Sequence, residues 1–120
     1  MAHTQAEIEA LLPLPLATFH ILLAAAEDPR HGYAILQDVA ARTGGALKLS
    51  PGTLYRSIQR MLEEGLLEEV RERPAPPDDD ARRRYYVTTP FGAAVARAEA
   101  RRLVGLVKLA RAAGLAPSKA

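Results

Sequence analysis

The segment LSPGTLYRSIQRMLEEG, Leu49 to Gly65, decides how the rest of the chain is read. Ser50-Pro51 is a helix start: a hydroxyl placed to cap orphan amides, then a proline at the first helical position. Gly65 is a matching stop. Between them, at about 100° per residue, Leu54, Ile58, Met61 and Leu62 share one face, while Thr53, Arg56, Ser57 and Arg60 share the opposite one, with Tyr55 on the flank. Bases and hydroxyls occupy the front of this helix, and Glu63 and Glu64 are held back to its last turn. A helix dipole alone favours the reverse order. The order present keeps carboxylates away from whatever the front half meets, and it suits an α-helix entering the major groove of DNA.

Working outward, Thr4-Gln5-Ala6-Glu7 has capping-box spacing and predicts a short helix to about Leu12, ended by Leu12-Pro13-Leu14-Pro15. Pro15 suits the first position of a second helix, whose apolar stripe is Leu16, Phe19, Leu22, Leu23 and Ala26, and which Asp28-Pro29 ends. A third runs from about Gly32 to Thr43 with Tyr33, Leu36, Val39 and Ala40 inward, closed by Gly44-Gly45. Leu47 and Leu49 alternate with Ala46 and Lys48 as in a brief extended segment. Beyond Gly65, Leu66–Glu72 and Arg83–Thr88 read as strands. Thr89-Pro90 repeats the hydroxyl–proline start and opens a long helix to about Ala113.

Helices followed by a two-stranded ribbon and a last long helix give a mainly α chain with a small β wing, a winged helix-turn-helix with an added C-terminal helix. The division expected is an N-terminal arm or short helix over 1–14, a winged domain over 15–89, a dimerisation helix over 90–114 and a flexible tail over 115–120. At 120 residues with 48% hydrophobic content there is enough for one core but not two.

The loop between the strands, RPAPPDDDARRRYY (Arg73 to Tyr86), is then the wing. Pro74, Pro76 and Pro77 cannot donate to a ladder, so pairing should stop near Arg73. Asp78–Asp80 favour a solvated turn, and Arg82, Arg83 and Arg84 return along the second strand. Arg84 and Tyr86 should share one face and Tyr85 and Val87 the other. Either these arginines meet DNA backbone or minor groove, or they pair with the neighbouring acids at little gain.

Other classes of function find little footing. The chain has no cysteine, which excludes disulfides and thiolate metal sites and fits a reducing cytoplasm. His3, His20 and His31 have no His or carboxylate companion at metal-ligand spacing, Ser50 and Ser57 lack a general base nearby in sequence, and there is no glycine-rich phosphate loop. No catalytic residue, metal or cofactor is therefore assigned. Apolar runs are short and broken, so neither a membrane span nor a signal peptide is expected. The net charge of +2 is small, but it is unevenly spread: residues 91–120 hold Arg97, Arg101, Arg102, Lys108, Arg111 and Lys119 against the single acid Glu99.

Four motifs in order carry a resemblance: His31-Gly32-Tyr33-Ala34-Ile35, Leu49-Ser50-Pro51-Gly52-Thr53-Leu54-Tyr55, Glu64-Gly65-Leu66-Leu67, and Arg83 through Gly92. Over roughly residues 16–113 the chain resembles the PadR family of bacterial transcriptional regulators, in its short form with one long C-terminal helix. The resemblance implies a homodimeric winged helix-turn-helix protein that binds double-stranded DNA, usually a repressor and often released by a small molecule. It places Gly52, Thr53, Leu54 and Tyr55 at the opening of the recognition helix, and carries DNA contact onto Ser50, Thr53 and Tyr55, with Leu54 kept for the core. The family commonly has proline after that tyrosine, where this chain has Arg56.

The candidate DNA-binding set is thus Lys48, Ser50, Pro51, Gly52, Thr53, Tyr55, Arg56, Ser57 and Arg60, with Arg82, Arg83 and Arg84 from the wing. Ala93, Ala96, Ala100, Leu103, Val107 and Ala110 keep a three-four alternation along the last helix and form the candidate dimer seam. The rival reading is a winged-helix module that binds proteins rather than DNA.

Overall fold

Side-chain caps open most of the helices in the computed structural model, which describes residues 3–70 and 84–117. Helix α1 (Gln5–Glu9) carries the expected capping box: the Thr4 hydroxyl accepts from the Glu7 amide at 3.1 Å and the Glu7 carboxylate from the Thr4 amide at 3.3 Å. Helix α2 (Leu16–Ala24) has Pro15 at its N-cap, one position earlier than expected, and no side-chain cap. Helix α3 (Gly32–Arg42) is capped by an imidazole, with His31 Nδ1 accepting from the Ala34 amide at 3.1 Å. Helix α4 (Pro51–Glu63) and helix α5 (Pro90–Ala112) open on Ser50 and Thr89, each followed by proline, as read from the sequence.

Strands β2 (Leu67–Val70) and β3 (Tyr85–Thr88) are the expected ribbon, shorter than predicted within the described residues. A third strand, β1 (Arg30–His31), was not anticipated; two residues between Pro29 and a helix give no periodicity to read. The order is β1-β3-β2, all antiparallel, with Arg30 and Glu69 both opposite Tyr86, and His31 and Val70 both opposite Tyr85. Because β3 is central, both Tyr85 and Tyr86 are buried, one on each face. No strand forms at Leu47–Leu49; Leu49 instead plugs into the core. Arg82, Arg83, Asp78–Asp80 and the ends of the expected strands beyond Val70 and before Arg84 lie outside the described residues.

The core gathers Ile21 and Leu22 of α2, Ile35 and Val39 of α3, Leu54, Ile58 and Met61 of α4, Leu66, and Val95 of α5. On α4 the buried face is the predicted one. On α2 and α3 the expected Leu22 and Val39 are buried and Phe19 and Leu36 pack against the core, but Leu16 is 63% exposed, Ala26 is exposed and Tyr33 is 57% exposed, while Thr18, Ile21 and Ile35, not expected inside, are buried. Helix α2 is apolar on nearly every side, so spacing alone does not reveal which side faces in.

Three elements are tied together at Thr88-Thr89. The Thr88 amide donates to the Ala25 carbonyl and its hydroxyl to the Leu22 carbonyl, both at 3.0 Å, which satisfies the end of α2. Helix α4 ends with Gly65 at φ +77° and the Leu66 amide returning to the Met61 carbonyl at 2.9 Å. The Thr89 amide then donates to the Leu66 carbonyl at 3.1 Å, and its hydroxyl donates to the Gly65 carbonyl at 2.6 Å while accepting from the Gly92 amide at 2.9 Å. Here α5 approaches so closely that a β-carbon on Gly92 would collide with the Leu66 carbonyl oxygen.

The N-terminal segment is fastened to α5. The Glu99 carboxylate, 3% exposed, forms a two-pronged pair with Arg102, both contacts at 2.8 Å. Arg102's hydrogen bonds hold its carboxyl below the usual range against the opposing effect of burial, and the Leu14 backbone helps lower it. The His3 ring stacks on Phe91 at 3.7 Å. Past Arg102, α5 leaves the body: Leu103, Val104, Leu106, Val107 and Leu109 are all exposed, by 36% to 69%.

Gly92→Ala should lower stability by about 1–3 kcal/mol in urea unfolding, because a backbone carbonyl cannot yield as a side chain would. Gly105→Ala, where nothing lies within 4 Å of the new carbon, should instead stabilise by up to about 1 kcal/mol through helix propensity.

Candidate nucleic-acid interface

The exposed front of α4 starts from its cap. Ser50 Oγ accepts from the Thr53 amide at 3.1 Å and donates to Thr53 Oγ1 at 3.0 Å. The Ser50 hydroxyl is therefore committed to holding the first turn. The Thr53 hydroxyl, used as an acceptor, keeps its own proton to donate outward.

Pro51 and Gly52 lie exposed on this turn, and Lys48 is exposed just before it, its stem 3.9 Å from where a β-carbon on Gly45 would sit. Arg56 is exposed and forms no ion pair among the described residues; its Nη1 would be 3.5 Å from a β-carbon on Gly52. The guanidinium thus reaches back along α4 towards the cap. Ser57 is half-buried.

Arg60 goes the other way. It leans on Glu64 at 3.7 Å and borders a cavity of about 210 Å³ with Pro13, Leu14, Pro15 and Thr18. The sequence put Arg56 and Arg60 on one face; the structure keeps them there but points their charges to opposite ends. Arg84, on the wing, is exposed and paired with Glu69 at 3.3 Å. Arg82 and Arg83 are outside the described residues. The front of α4 therefore brings together Lys48, Ser50, Pro51, Gly52, Thr53, Tyr55 and Arg56.

Tyr55 reaches from α4 onto the start of α3. Its ring lies directly over Gly32, so that a β-carbon there would come within 2.5 Å of the phenol oxygen, yet the side chain stays 52% exposed. The glycine of His31-Gly32-Tyr33 thus makes room for this ring, and does not serve a turn. Behind it, burial raises the Tyr86 phenol above its ordinary pKa, with Glu69 and Tyr55 adding to the rise and Arg84 opposing it. Sequence reasoning missed two residues at this junction, Arg30 and the outward-facing Tyr33.

Two adjoining helices with a short sheet beside them, the second helix presenting its polar front, is the arrangement of a winged helix-turn-helix. The model of the transcriptional regulator PadR-like family matches residues 21–98, which takes in α3, α4, the sheet and the buried half of α5. The chain belongs to the PadR-like family.

Solved PadR-like and related regulators share the fold at low identity. A transcriptional regulator from Clostridium thermocellum is 19% identical, with 92% of this chain and 96% of that one covered and a TM-score of 0.67. A PadR family transcription regulator from Clostridium difficile R20291 is 20% identical, with 81% and 96% covered and a TM-score of 0.67. Bacillus subtilis PadR in complex with operator DNA is 15% identical, with 71% and 46% covered and a TM-score of 0.57. No curated protein matches the chain.

Among the described residues no group of histidines and carboxylates could hold a metal, and no helix is long and apolar enough to cross a membrane.

The contact of Tyr55 with Gly32 predicts a non-additive pair. Gly32→Ala should cost stability in the presence of Tyr55 and much less in its absence. A double-mutant cycle with Tyr55→Ala should read a coupling of about 0.5–3 kcal/mol by urea unfolding.

Proposed function

We propose that the chain is a sequence-specific DNA-binding transcriptional regulator working as a homodimer on a palindromic site, with the front half of α4 in the major groove. The observation that carries this is the charge arrangement on α4: Tyr55 and Arg56 stand exposed beside a half-buried Thr53, with no acid paired to them among the described residues, while Glu63 and Glu64 sit at the far end. Arg56 suits a bidentate contact to guanine, Thr53 a contact to phosphate or a thymine methyl, and Lys48 a phosphate. Arg60, drawn to Glu64, has the smaller part. Arg84, and with it Arg82 and Arg83, belong to the wing's contact with the backbone.

The support for a dimer is the surface of α5. At about 100° per residue, Ala93, Ala96, Ala100, Leu103 and Val107 form one strip, half-buried at Ala93 and Ala96 and exposed from Ala100 onward. Leu106, Leu109 and Ala110 continue the face that Val95, Ala98 and Glu99 bury further back. Such an aliphatic surface on a projecting helix needs a second copy to cover it, with the small alanines letting two helices close in. A dimer also sets two recognition helices about 34 Å apart, enough to read two half-sites. Repression, and release by a small effector, follow the usual habit of the family.

Affinity for the DNA upstream of the chain's own coding region should fall steeply with salt. Arg56→Ala should cost about 1–3 kcal/mol there and relax one base position, with a smaller effect from Arg60→Ala. A protein-binding module would show no salt slope, and unchanged affinity in both variants would remove α4 from the interface. Val107→Asp should turn a dimer into the 13.0 kDa monomer in sedimentation and weaken operator binding by at least tenfold.

A further inference from the structure

Helix α5 carries its free charge along one line. Counted at about 100° per residue, Arg97, Arg101, Val104, Lys108 and Arg111 fall within roughly 40° of a single direction. Arg97, Arg101 and Lys108 are exposed, and Val104 stands 55% exposed in their midst. None of the four cations enters an ion pair among the described residues. Arg111 donates from Nε to the Pro117 carbonyl at 2.6 Å, a neutral acceptor that holds the side chain without cancelling its charge. The one acid of α5, Glu99, is buried and taken by Arg102.

Helix stability does not account for this line. Like charges three and four residues apart repel, and an acid set among them would turn that repulsion into attraction. The helix dipole favours bases in the last turn, which covers Arg111 but not Arg97 or Arg101. Nor does the fold use it. The line runs nearly opposite the face that buries Val95, Ala98 and Glu99, and about 80° round from the aliphatic strip assigned to a second copy.

The spacing indicates what would cover it. Residues at i, i+4, i+7, i+11 and i+14 form the seam of a helix–helix contact, here with cations on either side of one valine over about 21 Å. A nucleic-acid backbone would match the charge but gain nothing from Val104. A helix with acids at the facing positions and an apolar side chain between them meets both. The chain has no such helix among its described residues: α1 holds Glu7 and Glu9 but is five residues long, α3 has only Asp38, paired with Arg42, and the acids of α4 stand at its end.

We propose that this line on α5 docks an acidic amphipathic helix of a different protein, about four turns long. Its carboxylates meet Arg97, Arg101, Lys108 and Arg111, and an aliphatic side chain rests on Val104.

The test is fluorescence anisotropy of the full chain with two synthetic helical peptides of equal composition. In one, glutamates flank a central leucine at the facing heptad positions; in the other the same residues are spread around the helix. The first should bind roughly tenfold tighter or better. Arg101→Gln combined with Lys108→Gln should weaken it by roughly fivefold or more and flatten its salt dependence. Val104→Ser should weaken it by roughly threefold with the salt dependence unchanged. Arg42→Gln, which removes an exposed cation elsewhere, should leave it as it was. The upstream duplex and one of random sequence should bind the double variant within about twofold of the wild type.

Equal affinity for the two peptides, no binding of either, or a silent double variant or Val104→Ser would overturn the proposal. So would a loss on the random duplex as large as that on the peptide, which would make the line a nucleic-acid surface. Should the double variant not fold, Val104→Ser decides alone, through its effect on the heptad peptide against the spread one. The wild-type titration on the upstream duplex judges the DNA-binding reading separately, and none of these peptide results touches it.

Discussion

Thr88 and Thr89 are the pair on which the rest of the structure depends. One threonine closes the end of α2 through its amide and hydroxyl, and the other joins the end of α4 to the start of α5. Each bond is modest alone, but all of them satisfy helix-end groups that would otherwise be buried without partners. The constraint reaches further through Gly92, whose missing side chain lets α5 rest on the Leu66 carbonyl. With α2, α4 and α5 fixed at one point, the angle of α4 to the body is set, and so is the direction in which α5 departs.

That geometry separates two tasks. The C-terminal end of α4 is locked into the body, while its N-terminal end is left free to carry exposed polar groups. There the Tyr55 ring lies against Gly32 at the start of α3. On the other side, α5 gives its first turns to the core and sends its aliphatic remainder outward. The N-terminal segment covers the start of α5 through the Leu14 backbone at Glu99 and the His3–Phe91 stack.

The order of elements could be read from the sequence because their boundaries are chemical. Thr4, Ser50 and Thr89 cap helices as their neighbours Glu7, Pro51 and Pro90 announce, and Gly44, Gly45, Gly65 and Gly114 take the left-handed conformation that ends them. The buried face of α4 was legible because its polar and apolar residues segregate cleanly. The faces of α2 and α3 were not, because Leu16, Phe19, Leu23, Tyr33 and Leu36 allow more than one apolar stripe, and packing alone chooses among them. Strand β1 has no local signal; it forms because β3 offers a free edge to Arg30 and His31. The candidate interface was legible on α4 for the same reason as its buried face. The outward place of Tyr33 was hidden, because the apolar spacing of α3 suits more than one face.

The central claim is that two copies of α4 enter successive turns of the major groove. A hydroxyl-radical footprint of the full chain on the DNA upstream of its own coding region measures this directly. The account predicts two protected patches on one face of the duplex, about 34 Å apart and related by a two-fold axis. A single patch, or none at protein concentrations that saturate the binding, would contradict it.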